Sequence, residues 1–452
     1  MTQTSPFVPP TAQPLDIAVI GSGIAGLGSA WLLGQRHRVT LFEQNDYIGG
    51  HTHTHLVDDG RGGGVAVDSG FIVCNRPNYP HLFGLLESLE IATQPTDMSF
   101  GMSMDAGRLE YSGDNLDTLF AQRANLLRPS FLRMVSEILR FNRLGKAALG
   151  DDSLGTRTLG QFLEHHRFSP RLAEDYLLPM AAAIWSCPTR QMRAFPARSF
   201  LQFFDNHGLM NVADRPQWET VVGGSRRYVE RMLAERRFEA LTAHPVTRVE
   251  RDETGVTLPE HGRRFDAVVM AGHADQTLAA LDRADSAETG VLGAFRFQKN
   301  RAFLHRDIAL MPTRRKVWSS WNYLGRRDAD GERAVAVTYW MNRLQRLESA
   351  HDWLVTLNPF EPPRESLIER EITYHHPVFD ARAVAAQAEL PALQGHRRTF
   401  YAGAWTGYGF HEDGLTSAVA VARQFGVPIP WEDTTSTASS GDPSSSPGTE
   451  AA

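Results

Sequence analysis

The sequence predicts an α/β fold in which a parallel-sheet domain is assembled from separate stretches of chain and interleaved with a domain of antiparallel sheet plus helices. Three observations predict it. A strand, a helix and a second strand follow one another within residues 16–43. Strand-then-helix patterns return at 265–281 and again at 399–425. Between them lie helical periodicities and short alternating, aromatic-rich runs that suit an antiparallel sheet with one buried face.

The first unit opens at Asp16 with the apolar run Ile17-Ala18-Val19-Ile20, stops at a glycine, continues as a helix through Leu33 and returns as Arg38–Glu43. Two strands joined by a helix over so few residues run parallel. Helical patterns follow at 80–89, 129–144, 159–166, 171–183 and 196–204. Strand signals resume at 246–251, 256–258 and 265–270, the last leading into a helix at 275–281. The alternating runs are 294–297, 317–323, 334–340 and 372–375; a closing strand at 399–403 and a helix at 415–425 complete the chain. The expected division is therefore 15–95, 220–290 and 396–430 for the parallel domain, with 96–219 and 291–395 for the second. Residues 1–14 and 431–452 are rich in Pro, Ser and Thr, and carry too little apolar surface to offset the entropy of ordering.

Composition narrows the function classes. With 452 residues and 42% hydrophobic content, the chain has ample material for a large core. Its 46 basic and 52 acidic residues give a net charge of −6 without long like-charge blocks, which argues against a nucleic-acid groove or a polybasic anchor. Two cysteines, Cys74 and Cys187, are too few for a disulfide framework and fit a reducing, cytoplasmic setting. No apolar stretch approaches the ~18 residues of a spanning helix, and no export signal opens the chain. Fixed-period repeats and sustained heptads are also lacking.

The first chemical motif is Gly21-Ser22-Gly23-Ile24-Ala25-Gly26, placed where a strand turns into a helix. Such glycines make a tight turn, admit a pyrophosphate close to the backbone and let helix and strand pack, while the helix N-terminus presents N–H groups to phosphate. Glu43 ends the second strand at the spacing at which a carboxylate accepts from an adenosine ribose, and it would repel a 2′-phosphate. Gln44 follows it. A second glycine pair comes next in Tyr47-Ile48-Gly49-Gly50-His51-Thr52, then a strand and turn at Val65–Val73 containing Gly70, Phe71 and Ile72. Near the end stands Tyr401-Ala402-Gly403-Ala404-Trp405-Thr406-Gly407-Tyr408-Gly409-Phe410-His411-Glu412-Asp413-Gly414-Leu415.

Together these segments resemble the flavin-containing amine oxidase and phytoene-desaturase superfamily. More narrowly, GGHTHT, PTDMSF (95–100), WSSWNY (318–323), VTYWMNRLQ (337–345), HPVFD (376–380) and GYGFHEDG (407–414) resemble a bacterial group of FAD-dependent oxidoreductases within it, over residues 16–426. The resemblance implies a Rossmann-like FAD-binding domain of three layers (β-β-α/β-α) and an FAD-dependent dehydrogenase, desaturase or oxidase. It implies FAD contacts from the first glycine motif, Glu43, Gln44, Gly49, Gly50, His51, Thr52, Gly70, Phe71 and Ile72. Further contacts come from Val246, Ala271, Gly403, Ala404, Glu412, Asp413, Gly414 and Leu415, with a helix N-terminus at Asp413–Leu415 directed at the electron-rich edge of the flavin. His51 departs from the arginine that usually follows the glycine pair. Neither cysteine lies in the C-terminal segment where amine oxidases attach flavin, so FAD is expected to bind non-covalently.

Flavin N5 is the implied hydride acceptor, which leaves the protein to position a C–H bond. Phe410 and His411 stand near the cage position of amine oxidases, with His411 as candidate acid or base. Trp318, Trp321, Tyr339 and Trp340 are candidates for an apolar substrate wall or for core. His51, His53 and His55 alternate as metal ligands do, but they overlap the phosphate turn, and no metal is expected. The substrate class is apolar, with a fatty-acyl chain suggested by the lipid-modifying methyltransferases that accompany the group. A small amine is the alternative, and a non-catalytic FAD-binding module the alternative of another class. The acceptor is O2, a quinone or another carrier; no nucleic acid is expected, and peripheral contact with the inner membrane is compatible.

Overall fold

The computed structural model describes residues 13–150, 154–185, 192–211, 215–327 and 333–433. Cys187 falls outside these; Cys74 is a buried free thiol.

At the centre lies a five-stranded parallel sheet in the order Glu239–Leu241, Arg38–Phe42, Asp16–Ile20, Ala267–Met270, Thr399–Tyr401. Its inner strands are apolar on both faces because both are covered. Ile17, Val19, Leu41, Ala267 and Val269 point into one cluster with Leu27 and Trp31, with Tyr228 and Met232, and with Leu415 and Val419. These come from the helices Ile24–Leu33, Arg226–Ala234 and His411–Gln424. The alternate residues Ala18, Phe42, Val268 and Met270 meet Val256, Leu258 and Phe265 of a three-stranded antiparallel meander. The three layers thus follow from the two-residue period of the strands. The helix Ile24–Leu33 is buried along its whole length, as its sequence IAGLGSAWLL requires.

A second, seven-stranded sheet runs Ile368–Val378, Arg296–His305, Leu354–Leu357, Arg333–Trp340, Trp321–Arg327, Phe100–Met104, Leu109–Ser112. It is antiparallel except where Trp321–Arg327 and Phe100–Met104 lie parallel. Against it pack helices of the 129–206 region, whose Phe131, Met134, Phe141, Phe162, Phe200 and Phe204 share one core with Tyr323 and Tyr339.

Four expectations need correcting. Val246 is not in a strand: the strand covers only Glu250–Arg251, preceded by a single bridge from Val249 to Leu281, because the loop before it bonds elsewhere, the Ala243 and His244 N–H groups donating to Asn45 and Glu43 carbonyls (2.8 and 2.9 Å). The expected strand 265–270 splits at Asp266, whose N–H donates to the Asp16 carbonyl while its carboxylate accepts the Asp16 N–H: Phe265 ends the strand Arg263–Phe265 of the meander, and Ala267–Met270 belongs to the parallel sheet. Residues 317–320 are a turn, tied by Ser319 N–H to Asn322 Oδ1 (2.9 Å), and the strand starts at Trp321. The closing helix starts at His411 rather than near 415, since the Asp413 carboxylate accepts the Phe410 N–H (2.8 Å) and sets the first turn there.

Candidate active site

Two helix N-termini converge at the C-terminal edge of the parallel sheet. A Cβ at Gly26 would sit 1.8 Å from the Gly21 carbonyl oxygen, so only glycine lets the helix Ile24–Leu33 approach the turn before it. Its N-cap, Gly23, supplies no side-chain acceptor, and its first turn has no acid. A Cβ built on Gly23 meets nothing within 4 Å, so this end faces open space with unsatisfied N–H groups. The second glycine pair lies against it, a Cβ on Gly50 falling 3.0 Å from Gly23 Cα, and Gly49 N–H donates to Ser22 Oγ (3.2 Å). From the far end of the chain, Gly414 brings the closing helix alongside: a Cβ there would be 2.7 Å from Ile24 Cγ2 and 3.7 Å from the Ala404 nitrogen. Leu415 packs over Gly28, Ala271 backs the Gly21 turn, and Gly403 N–H donates to Ser417 Oγ (2.9 Å).

Glu43 is buried beside this loop. One carboxylate oxygen accepts Ser22 N–H (3.0 Å) and Ser22 Oγ–H (2.6 Å), the other Asn45 N–H (2.8 Å) and Asn45 Nδ2–H (2.7 Å). Two of the four donors are side chains that can rotate aside for ribose hydroxyls. An open, acid-free helix N-terminus next to a fixed carboxylate fits the pyrophosphate and ribose of a dinucleotide. Val246 is half-buried behind the Glu43 strand end, and Gln44 is exposed.

The other end of the site is built from rings. Gly70 lies directly over the His51 carbonyl, and Phe71 N–H donates to it (2.7 Å). His51 stacks on Tyr374 (4.7 Å) and lies 5.2 Å from His376, while its Nε2 is buried without a partner. His376 Nδ1 lies 3.0 Å from Asn300 Nδ2, which donates to it. His273 stacks on Phe297 (4.3 Å). Burial holds His51 well below the usual imidazole range and lowers His273 and His376 to about 4, so this group is neutral near pH 7. His53 and His55 are engaged with Tyr374 OH (3.2 Å) and Ser69 Oγ (2.9 Å). Ile72 is held through its carbonyl by Thr220 Oγ (2.8 Å).

Several expected residues are engaged with neighbouring side chains and backbone groups. His411 stacks on Phe71 (3.9 Å), and its Nε2 meets Tyr228 OH (2.7 Å), which also bonds Thr52 Oγ. Burial drives its pKa down to about 3, so it is neutral near pH 7. Glu412 accepts His81 and Leu82 N–H groups (2.8 and 2.9 Å), capping the helix Pro80–Ser88; burial raises it to about 7. Asp413 is likewise raised to about 6 by burial while capping its own helix. Phe410 stacks on Phe203 (4.8 Å) near His207 and Tyr408.

The four aromatics do not form one wall. Trp321 and Tyr339 meet edge to face (5.0 Å) on the sheet face turned to the helices, and the buried Trp321 Nε1 has no partner. Trp318 and Trp340 pair on the opposite face with Met311 and Leu354, with Trp318 Nε1–H donating to the Pro312 carbonyl (2.7 Å) and Trp340 Nε1–H to Asp352 (3.0 Å). Neighbouring residues of one strand cannot share a face. Sequence reasoning missed Tyr228, Phe203 and the pair Tyr374 and His376. The last two were findable: they stand two apart on one strand, hence on one face.

Known proteins resemble this arrangement. A fatty acid isomerase from P. acnes that produces CLA superimposes with a TM-score of 0.64 at 18% identity, covering 90% of this chain and 98% of that one. Cyclohexylamine oxidase from Brevibacterium oxydans gives 0.61 at 18% identity, covering 91% and 100%. The provisionally assigned flavin-containing monoamine oxidase AofH of Mycobacterium tuberculosis is 24% identical over 270 residues, 54% of this chain and 53% of AofH, so the chain spans about half the length of that relative. The model of the flavin-containing amine oxidoreductases matches residues 24–425, from the first helix through the glycine pair to the closing helix. That match takes in both converging helix N-termini, and the chain belongs to the family of flavin-containing amine oxidoreductases.

Proposed function

We propose that the chain is an FAD-dependent oxidoreductase that binds FAD non-covalently and takes hydride from an apolar, fatty-acyl substrate. The observation that carries the cofactor reading is the meeting of two helix N-termini, one open and acid-free, beside the Glu43 carboxylate. The N–H groups at Gly23–Gly26 would hold the pyrophosphate, with Gly49-Gly50 beside it, and Glu43 would take ribose hydroxyls in exchange for its side-chain donors. Bound FAD supplies the hydride acceptor.

The lining supports an apolar substrate. Phe203, Phe410, Trp321 and Tyr339 share one apolar cluster with Tyr374, on which His51 stacks (4.7 Å), and burial keeps His51, His273 and His376 neutral, which supports a site with hydrogen-bonding groups but without fixed charge. Among solved structures of this fold one acts on a fatty acid and another on cyclohexylamine; the uncharged lining favours the former kind of substrate here. The low cysteine content is in keeping with a cytoplasmic setting.

The test is optical. Purified full-length protein should be yellow, release FAD on heating and bleach anaerobically with a long-chain fatty acid but not with a small aliphatic amine. A colourless protein that cannot be reconstituted with FAD refutes the flavoenzyme reading; bleaching by amines alone refutes the substrate.

A further inference from the structure

Among the described residues nine large apolar side chains stand exposed, and five of them fall within 116–139: Leu116 (74%), Leu126 (47%), Leu127 (87%), Leu132 (42%) and Leu139 (54%). The helix Pro129–Leu149 buries Phe131, Met134 and Phe141 on its inner face. Its outer stripe carries Leu132 and Leu139, two turns apart, with half-buried Val135 between them. Leu126 and Leu127 occupy the 3-10 turn Arg123–Leu127 that leads into it, and Leu116 opens the short helix Leu116–Leu119 just before.

Cations are interleaved with these leucines. Over the same stretch of sequence Arg123, Arg128, Arg133, Arg140, Arg143 and Lys146 are set against Asp114, Asp117 and Glu137, in a chain whose net charge is −6; Lys146 also lies 4.0 Å from Asp205, and Arg140 donates to the His166 carbonyl. The three acids are already engaged: Asp114 by Arg343 (2.8 Å), Asp117 by Arg123 (2.5 Å) and Lys316, and buried Glu137 by Arg133 (3.1 Å) and Ser169. The Lys316 contact also brings a further cation to Asp117, next to Leu116, while its neighbours Arg314 and Arg315 pair with Glu110 (2.7 Å) and Asp352 (3.4 Å).

We propose that this leucine and arginine ridge docks the chain on an anionic lipid bilayer, leucines inserted at the acyl boundary and arginines at the phosphates. A protein hot spot also uses arginine, but around aromatic anchors in a fully buried centre, and every exposed large apolar residue of this ridge is leucine. Here isolated leucines alternate with arginines along the outside of a helix. A membrane interface accepts both, because arginine stems lie along the apolar layer while their heads reach the phosphates. Since the inner face of the same helix belongs to the core that holds Trp321 and Tyr339, docking would set the bilayer on the substrate side of the molecule. The ridge stands apart from the flavin reading, so either can fail alone.

The experiment sediments full-length protein with vesicles of phosphatidylcholine and with vesicles of equimolar phosphatidylcholine and phosphatidylglycerol. Co-sedimentation is expected with the anionic vesicles, falling as salt is raised. The double variant Leu127→Asp/Leu132→Asp should lower it roughly tenfold or more. The control Leu56→Asp, at an equally exposed leucine on the Thr54–Asp58 strand, should leave it unchanged. Thermal midpoint and bound-flavin spectrum check that each variant is folded. Three results overturn the proposal: no co-sedimentation with either composition, equal binding by wild type and the double variant, or vesicle-free self-association that the double variant abolishes. The last would make a second copy of the chain the occupant.

Discussion

At the glycine loop the chain presents mostly backbone to the open space, with Glu43 as the main side chain. At the opposite end, around His51, Phe71, Tyr374 and His376, it presents side chains brought together from strands and turns hundreds of residues apart. The difference lies in how each end tolerates change. A backbone cradle fails when an atom is added, whereas a side-chain lining fails when atoms are removed or turned to the wrong face.

The sharpest way to break this contrast is Gly26→Val. With a Cβ only 1.8 Å from the Gly21 carbonyl oxygen, the helix must back away from the turn, and the purified variant is expected to hold no flavin by absorbance. Normal flavin content in a folded variant would show that the cradle is not backbone-defined.

A smaller effect separates the two faces of the seven-stranded sheet. Trp318→Ala should cost about 3 kcal/mol of stability in denaturant unfolding, as the loss of a buried ring does, and leave substrate affinity alone. Trp321→Ala should instead weaken substrate binding, read as a raised substrate concentration for half-maximal bleaching. The same response from both variants would return the four aromatics to one role.

The smallest effect concerns His411. Its folded pKa is pushed by burial to about 3, below the ordinary value near 6.5, so the unfolded chain takes up a proton there first. The stability it gives is therefore complete above about pH 6.5 and is lost as pH falls from there towards 3. Asp68 and Asp413, raised to about 6 by burial, and Glu412, raised to about 7, act in the opposite sense, so a comparison of variants is needed to isolate one group. His411→Gln keeps an acceptor for Tyr228 but cannot titrate. Its thermal midpoint should fall less than the wild type's between about pH 7 and pH 4; parallel curves would mean that the imidazole is protonated in the folded state.

The same contrast explains what could be read from the sequence. Gly21, Gly23, Gly26, Gly49 and Gly50 mark backbone geometry, and spacing along the chain carries that information directly. Glu43 was legible for the same reason, as the end of a strand in register with the loop. The lining was not, because residue type does not state direction. His411 follows the motif but turns to Tyr228, Glu412 caps a helix that begins at Pro80, and Trp340 lies on the far side of the sheet from Tyr339. Val246 was placed in a strand on β propensity, yet its loop is committed to the Glu43 and Asn45 carbonyls.

The order in which the parallel sheet is collected has a consequence for biosynthesis. Its central strand, Asp16–Ile20, is synthesised several hundred residues before the edge strand Thr399–Tyr401 and the helix His411–Gln424 that complete the cradle. At roughly 10 residues per second, more than half a minute separates the synthesis of the glycine loop from that of the second helix N-terminus. Tight retention of the nucleotide then acts as a read-out of synthesis through the helix His411–Gln424: a chain cut short before it has most of the core but lacks half of the cradle.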